Sequence, residues 1–172
     1  LADILPTYVP NTLVKPDIPS VHGSDPGYLT YPMSQIKTVQ ETPGSGGTYT
    51  AITPMWGAIP PSKGNHYYEA VNAALGAHLS VRPVNGNTYD QVLPALLSGN
   101  RLPDWIDIPS WNTVNLSFGR AVESRFTDLT PYLSGDSIKQ YPNLANIPTG
   151  AWQAGVWNGK LYGMPTYPSN II

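Results

Sequence analysis

TYTAITPMWGAIPPSKGNHYYEAVNAALGAHLSVRPV, residues 48–84, is the stretch whose reading decides the fold. TYTAITPMW (48–56) is rich in β-branched and aromatic side chains, the make-up of a strand, and it runs into a Gly-Pro-rich loop, GAIPPSKG. NHYYEAVNAALG (65–76) then has helical spacing. Asn65 suits the N-cap, Tyr68, Val71 and Leu75 share a face, and Gly76 stands where a C′ glycine belongs. LSVRPV (79–84) alternates with period two, and Pro83 marks a strand end or an edge position. Strand, helix and strand in this order make a βαβ unit.

The pattern continues toward the C-terminus. NGN (85–87) is a turn, and TYDQVLPALLSG (88–99) is a second helix with Thr88 as N-cap and Gly99 as its stop. Its apolar face is Val92, Leu96 and Leu97, and Pro94 inside it predicts a kink. After a turn at Pro103-Asp104, WIDIP (105–109) is a short third strand, and FTDLTPYLSG (126–135) leads through a strand or turn into a short helix. The order β-α-β-α-β predicts an α/β fold, a mostly parallel open sheet flanked by helices. VWNGKLYGMP (156–165) predicts a hairpin. Asn158-Gly159 forms its two-residue type I′ turn, and Leu161 or Tyr162 faces inward.

Toward the N-terminus the pattern stops. Seven of the 19 prolines fall before Gly44, and PGSGG (43–47) closes residues 1–47 like a linker. This extension lacks periodicity. It is either disordered or a strap over a larger body, and Tyr8, Val9, Tyr28, Leu29 and Tyr31 favour the strap, since they would otherwise expose much apolar surface.

Composition bounds the function. Only 12% of the 172 residues are charged, the net charge is −2, and no basic run offers a footprint for a phosphate backbone, so no nucleic-acid partner is expected. There is no cysteine, which excludes disulfides, thiolate metal sites and a cysteine nucleophile. No apolar run approaches the roughly 18–20 residues that span a bilayer.

In an open parallel sheet, ligands sit beyond the carboxyl ends of the strands. That rule picks out Trp56 after the first strand, and Ser110, Trp111 and Asn112 after the third. Two indoles leaving one sheet edge could stack on the C–H faces of a sugar ring, with Ser and Asn bonding its hydroxyls. The competing reading packs both tryptophans against loops. Catalytic constellations are poor. Asp104 and Asp107 lie three apart around a short strand and face different ways, unlike the carboxylate pair of a glycosidase, and Asp104 reads as a cap for its turn. His22, His66 and His78 are isolated, with no metal-ligand spacing, and there is no GxSxG elbow or phosphate loop. No metal or cofactor is expected, and the chain reads as a binder rather than an enzyme.

Several of these motifs, in this order, resemble the extracellular solute-binding proteins of ABC importers, the family that includes maltose- and oligosaccharide-binding proteins. The resemblance covers about residues 48–169. Its most specific parts are S-G-x-x-x-P-D-hydrophobic at 98–105, L-T-P at 129–131 and W-N-G-K-L-Y-G-x-P at 157–165. It implies one lobe of a two-lobe, type II periplasmic-binding-protein-like fold that closes on ligand like a clam. Residues 48–165 would be the N-terminal lobe and 166–172 the start of a crossover to a second lobe, so the chain would be a fragment of a longer protein. It implies a small-molecule ligand, a sugar or oligosaccharide, held by Trp56, by Ser110, Trp111 and Asn112, and, on the resemblance alone, by Tyr167 and Ser169. It also implies permease subunits as partners, an extracellular monomer, and attachment to the cell surface through a lipid anchor outside this chain. The family often places a charged residue just after the third strand. Here the run is IPSWNTVN, which leaves stacking and neutral hydrogen bonds. Alternatives on the same fold are a surface sensor or adhesion domain and a polysaccharide-active enzyme.

Overall fold

The computed structural model describes residues 3–22, 24–31, 33–113 and 117–166. They divide into two compact units, Val39–Phe126 and a second made of Leu1–Thr38 with Thr127–Ile172.

Unit Val39–Phe126 is mixed α/β. Strands β1 (Thr48–Met55), β2 (His78–Asn85) and β3 (Trp105–Ile106) form a parallel sheet in the order β2-β1-β3. Helices α1 (His66–Leu75) and α2 (Tyr89–Ser98) flank it, and α3 (Phe118–Arg125) ends the unit. Ile52 at the centre of β1 is buried with Tyr89 and Leu93 of α2, and Val84, Val92, Leu96, Ile106 and Ile108 close around them. Pro83 sits in β2, the edge strand, where a residue without an N–H is tolerated.

Local chemistry explains the helix ends. Asn65 Oδ1 accepts from the N–H groups of Tyr67 and Tyr68, and Gly76 takes φ +67°. Asn72 of α1 bonds both the amide and the carbonyl of Leu79, tying α1 to β2. α2 begins differently from expectation. Thr88 makes no side-chain cap, and instead Asn85 Oδ1 accepts from Asn87 N–H and starts a 3₁₀ turn, Gly86–Thr88, that runs into the helix. Its buried residues are Tyr89, Leu93 and Leu97.

PGSGG is a close-packed strip. Gly44 and Gly46 donate to the carbonyls of Leu75 and Gly76, and His78 N–H donates to Gly47 O. A Cβ on Gly44 would meet the backbone of Leu75 and Gly76, so glycine here permits close approach.

In the other unit, Leu5, Leu133, Ile138, Ala145, Trp152 and Leu161 form the core. The N-terminal segment lies along it as a strap. Thr7 N–H donates to Gly135 O, Gly135 N–H to Leu5 O, and Val9 N–H to Ala145 O, while Pro6 is fully buried. Helices α4 (Thr130–Leu133) and α5 (Pro142–Ala145) precede a two-stranded hairpin, β4 (Val156–Trp157) and β5 (Lys160–Leu161). Asn158 and Gly159 take φ +49° and +76°, as a type I′ turn requires. Leu161 and Tyr162 are both buried, because the chain leaves the strand geometry directly after Leu161.

Candidate functional site

Sheet order sets the position of the site. From β1 the chain goes to β2 on one side, then returns past β1 to β3 on the other. The connections therefore diverge between the carboxyl ends of β1 and β3, the kind of switch point at which open α/β sheets leave a crevice. A cavity of about 530 Å³ lies here, lined by Trp56, Gly86, Asn87, Asp90, Pro94, Trp111 and Asn112. That is within the roughly 300–1,000 Å³ of small-molecule clefts.

Trp56 follows β1 directly and is 56% exposed, and Trp111 in the 3₁₀ turn Ser110–Asn112 is 63% exposed. Their ring centroids are 6.1 Å apart with planes tilted by 53°, so the indoles form a corner rather than a flat platform. Trp56 lies against Gly86, where a Cβ would overlap the indole atoms Cε2, Nε1 and Cδ2. The turn carrying Trp111 is braced from behind. Tyr89 Oη donates to Asp107 O at 2.6 Å, and Asn112 N–H donates to Pro109 O at 2.9 Å. Burial, reinforced by the nearby Asp107 charge, pushes the Tyr89 phenol well above its ordinary range, so it stays a donor.

Asn112 lines the cavity, and its Oδ1 is buried without a hydrogen-bond partner among the described residues. Ser110 starts the same turn but is exposed and outside the cavity lining. Its carbonyl accepts from the Thr113 N–H and hydroxyl. Tyr167 and Ser169 lie outside the described residues.

Gly86, Asn87, Asp90 and Pro94 were not assigned to the site by sequence. The NGN turn was the available signal, because it follows β2 at the same sheet edge. Asp90 lies in the first turn of α2, where an acid ordinarily reads as a complement to the helix dipole. No described residue hydrogen-bonds or ion-pairs its carboxylate.

The other acids near the sheet are engaged. Asp104 Oδ2 accepts from the N–H and hydroxyl of Thr50, which corrects the expectation that it caps its own turn. Asp107 Oδ2 accepts from the Thr53 hydroxyl. The two carboxylates thus fasten the β3 segment to β1 at two points. His66 pairs with Glu69, at 3.1 Å on an exposed helix face. Among the described residues, no group of three His, Cys, Asp or Glu is placed to hold a metal, and no helix is long and apolar enough to cross a membrane. No family model, no curated protein and no solved structure matches the chain.

Proposed function

We propose that this chain captures a carbohydrate for an ABC importer, as a lobe of an extracellular solute-binding protein with a type II periplasmic-binding-protein-like fold. The observation that carries the reading is the corner formed by Trp56 and Trp111 at the switch point of a parallel sheet. Both indoles are more than half exposed, and exposed tryptophans that line a cavity offer apolar faces to a ligand. Neutral amides from Asn87 and Asn112 stand beside them to bond hydroxyls.

Capture rather than hydrolysis fits the acid inventory of the lining. A glycosidase uses two carboxyl groups across the scissile bond, whereas Asp90 is the one carboxylate among the described lining residues. The open corner suits a ligand held first on one surface and then covered by an opposing one, as in hinge closure around a ligand. The importer's permease subunits would then receive the closed form.

The test is saturation-transfer NMR of this chain against neutral oligosaccharides, amino acids and short peptides, a readout that tolerates weak binding. Sugar C–H signals should saturate, and Trp111→Ala should weaken binding about 5- to 150-fold, the cost of losing an aromatic anchor worth roughly 1–3 kcal/mol. Transfer to peptides alone, or to nothing in the panel, overturns the proposal.

A further inference from the structure

The cavity holds a single formal charge among its described lining residues. Asp90 is acidic, and Trp56, Gly86, Asn87, Pro94, Trp111 and Asn112 are all neutral, with no Lys, Arg or His among them. Asp90 is exposed, and no described residue neutralises or hydrogen-bonds it. Its four or so lone-pair sites are therefore available to donors that enter the cleft.

We propose that Asp90 is the specificity-determining residue of this site, accepting hydroxyl donors from a neutral sugar and rejecting acidic sugars such as uronates and sugar phosphates. The inference rests on the carbohydrate reading above and narrows it. A carboxylate accepts from two adjacent hydroxyls in a charge-assisted geometry, stronger than a bond between neutral groups. A ligand carboxylate or phosphate placed on the same corner brings like charge to it. At about 4 Å and surface dielectric values this repulsion corresponds to a tenfold or larger loss of affinity.

Three features set the geometry. Trp56 is seated on Gly86, Trp111 is turned toward Trp56, and Asp90 follows at the start of α2. The sugar face would meet the indoles while its hydroxyl edge meets Asp90, Asn87 and Asn112. A cationic ligand is also attracted by the Asp90 carboxylate and by the two indole faces, so an amino-sugar form of the same skeleton separates it from the neutral sugar.

The experiment compares one skeleton in two charge states. A neutral oligosaccharide that binds in the NMR screen is oxidised at its primary alcohols to the C6-carboxylate form, and both dissociation constants are measured at low salt. Wild type should favour the neutral form at least tenfold. Asp90→Asn should bring the two forms within about threefold, and Asp90→Glu should keep the discrimination, with amide NMR spectra establishing that each variant is folded. Equal binding of both forms by wild type overturns the assignment, as does discrimination that survives Asp90→Asn in the folded variant. An amino-sugar form bound tenfold tighter than the neutral one also overturns it. If no sugar binds, the carbohydrate reading falls and this proposal falls with it. Sugar binding without charge discrimination removes only the role of Asp90.

Discussion

Asn112 places a buried acceptor, Oδ1, beside a cavity with no donor to it among the described residues. An unpaired buried polar group costs about 1–3 kcal/mol, and such costs are tolerated where a site needs the group. Asn112→Leu, which keeps the branch at Cγ and removes the polar atoms, should therefore leave the thermal midpoint unchanged or raise it while weakening sugar binding. A fall in both would make Asn112 a packing residue. Gly86 offers a complementary test. A Cβ there overlaps the Trp56 indole, so Gly86→Ala should displace the ring, weaken binding about tenfold, and move the melting midpoint by only a few degrees. A wild-type affinity in the alanine variant would free Trp56 from any role in holding ligand. The tryptophans were legible in the sequence because the sheet-edge rule needs only the order of elements. Asp90 was not, since a first-turn acid has a sufficient local explanation, and only the fold brings it beside Trp56 and Trp111.

The hairpin and the L-T-P segment at 129–131 are far apart in sequence yet joined in space. Leu129 N–H donates to Leu161 O at 2.7 Å, and Leu161 N–H donates to Thr130 Oγ1 at 2.9 Å. Lys160 reaches Asp128 Oδ2 at 3.5 Å. Asp128 in turn accepts from Thr130 N–H. The hairpin presents Leu161 to the core, and the LTP turn satisfies its backbone. Thr130→Val keeps the shape but removes the acceptor, leaving the Leu161 amide unpaired at a cost of about 1–3 kcal/mol. Gly159→Val should cost at least a comparable amount, because a β-branched residue is forced into the φ +76° that Gly159 adopts. Urea unfolding midpoints check both, and a variant that unfolds with wild type would detach the hairpin from the fold's stability. Short turn chemistry of this kind is legible from residues alone, as Asn158-Gly159 and the Asn65 cap show. The cap at Thr88 was misread because Asn85, three residues earlier, begins a 3₁₀ turn first.

At the scale of the whole chain, the α/β order was legible and the partners of the leader were not, because its pairing is non-local. Leu5–Val9 bonds Gly135 and Ala145, and nothing in a proline-rich leader announces partners so distant in sequence. The strap carries an electrostatic consequence. Lys139 Nζ at 2.9 Å, and then the Thr7 hydroxyl, hold the Asp136 carboxyl below the usual range. Hydrogen bonding from the Thr130 side chain, ahead of its N–H and of Lys160, does the same for Asp128. Both acids belong to the unit that contains the strap. A carboxyl with a lowered folded pKa adds stability that is full above its unfolded pKa of about 4 and is lost as pH falls through the folded value. Acidification from about pH 5 to pH 2 should therefore weaken this unit. The amides of Gly135 and Leu161, bonded to Leu5 and Thr130, should lose hydrogen-exchange protection ahead of Asp107, which is bonded to Ile52. The contribution is modest, since Asp136 and Asp128 are 71% and 33% exposed and water screens them. Replacing both with Asn should lower the unit's neutral-pH stability slightly and flatten its acid slope. If the double variant keeps the wild-type slope, the acid sensitivity arises elsewhere, and the bonds from Thr7 and Thr130 serve geometry alone.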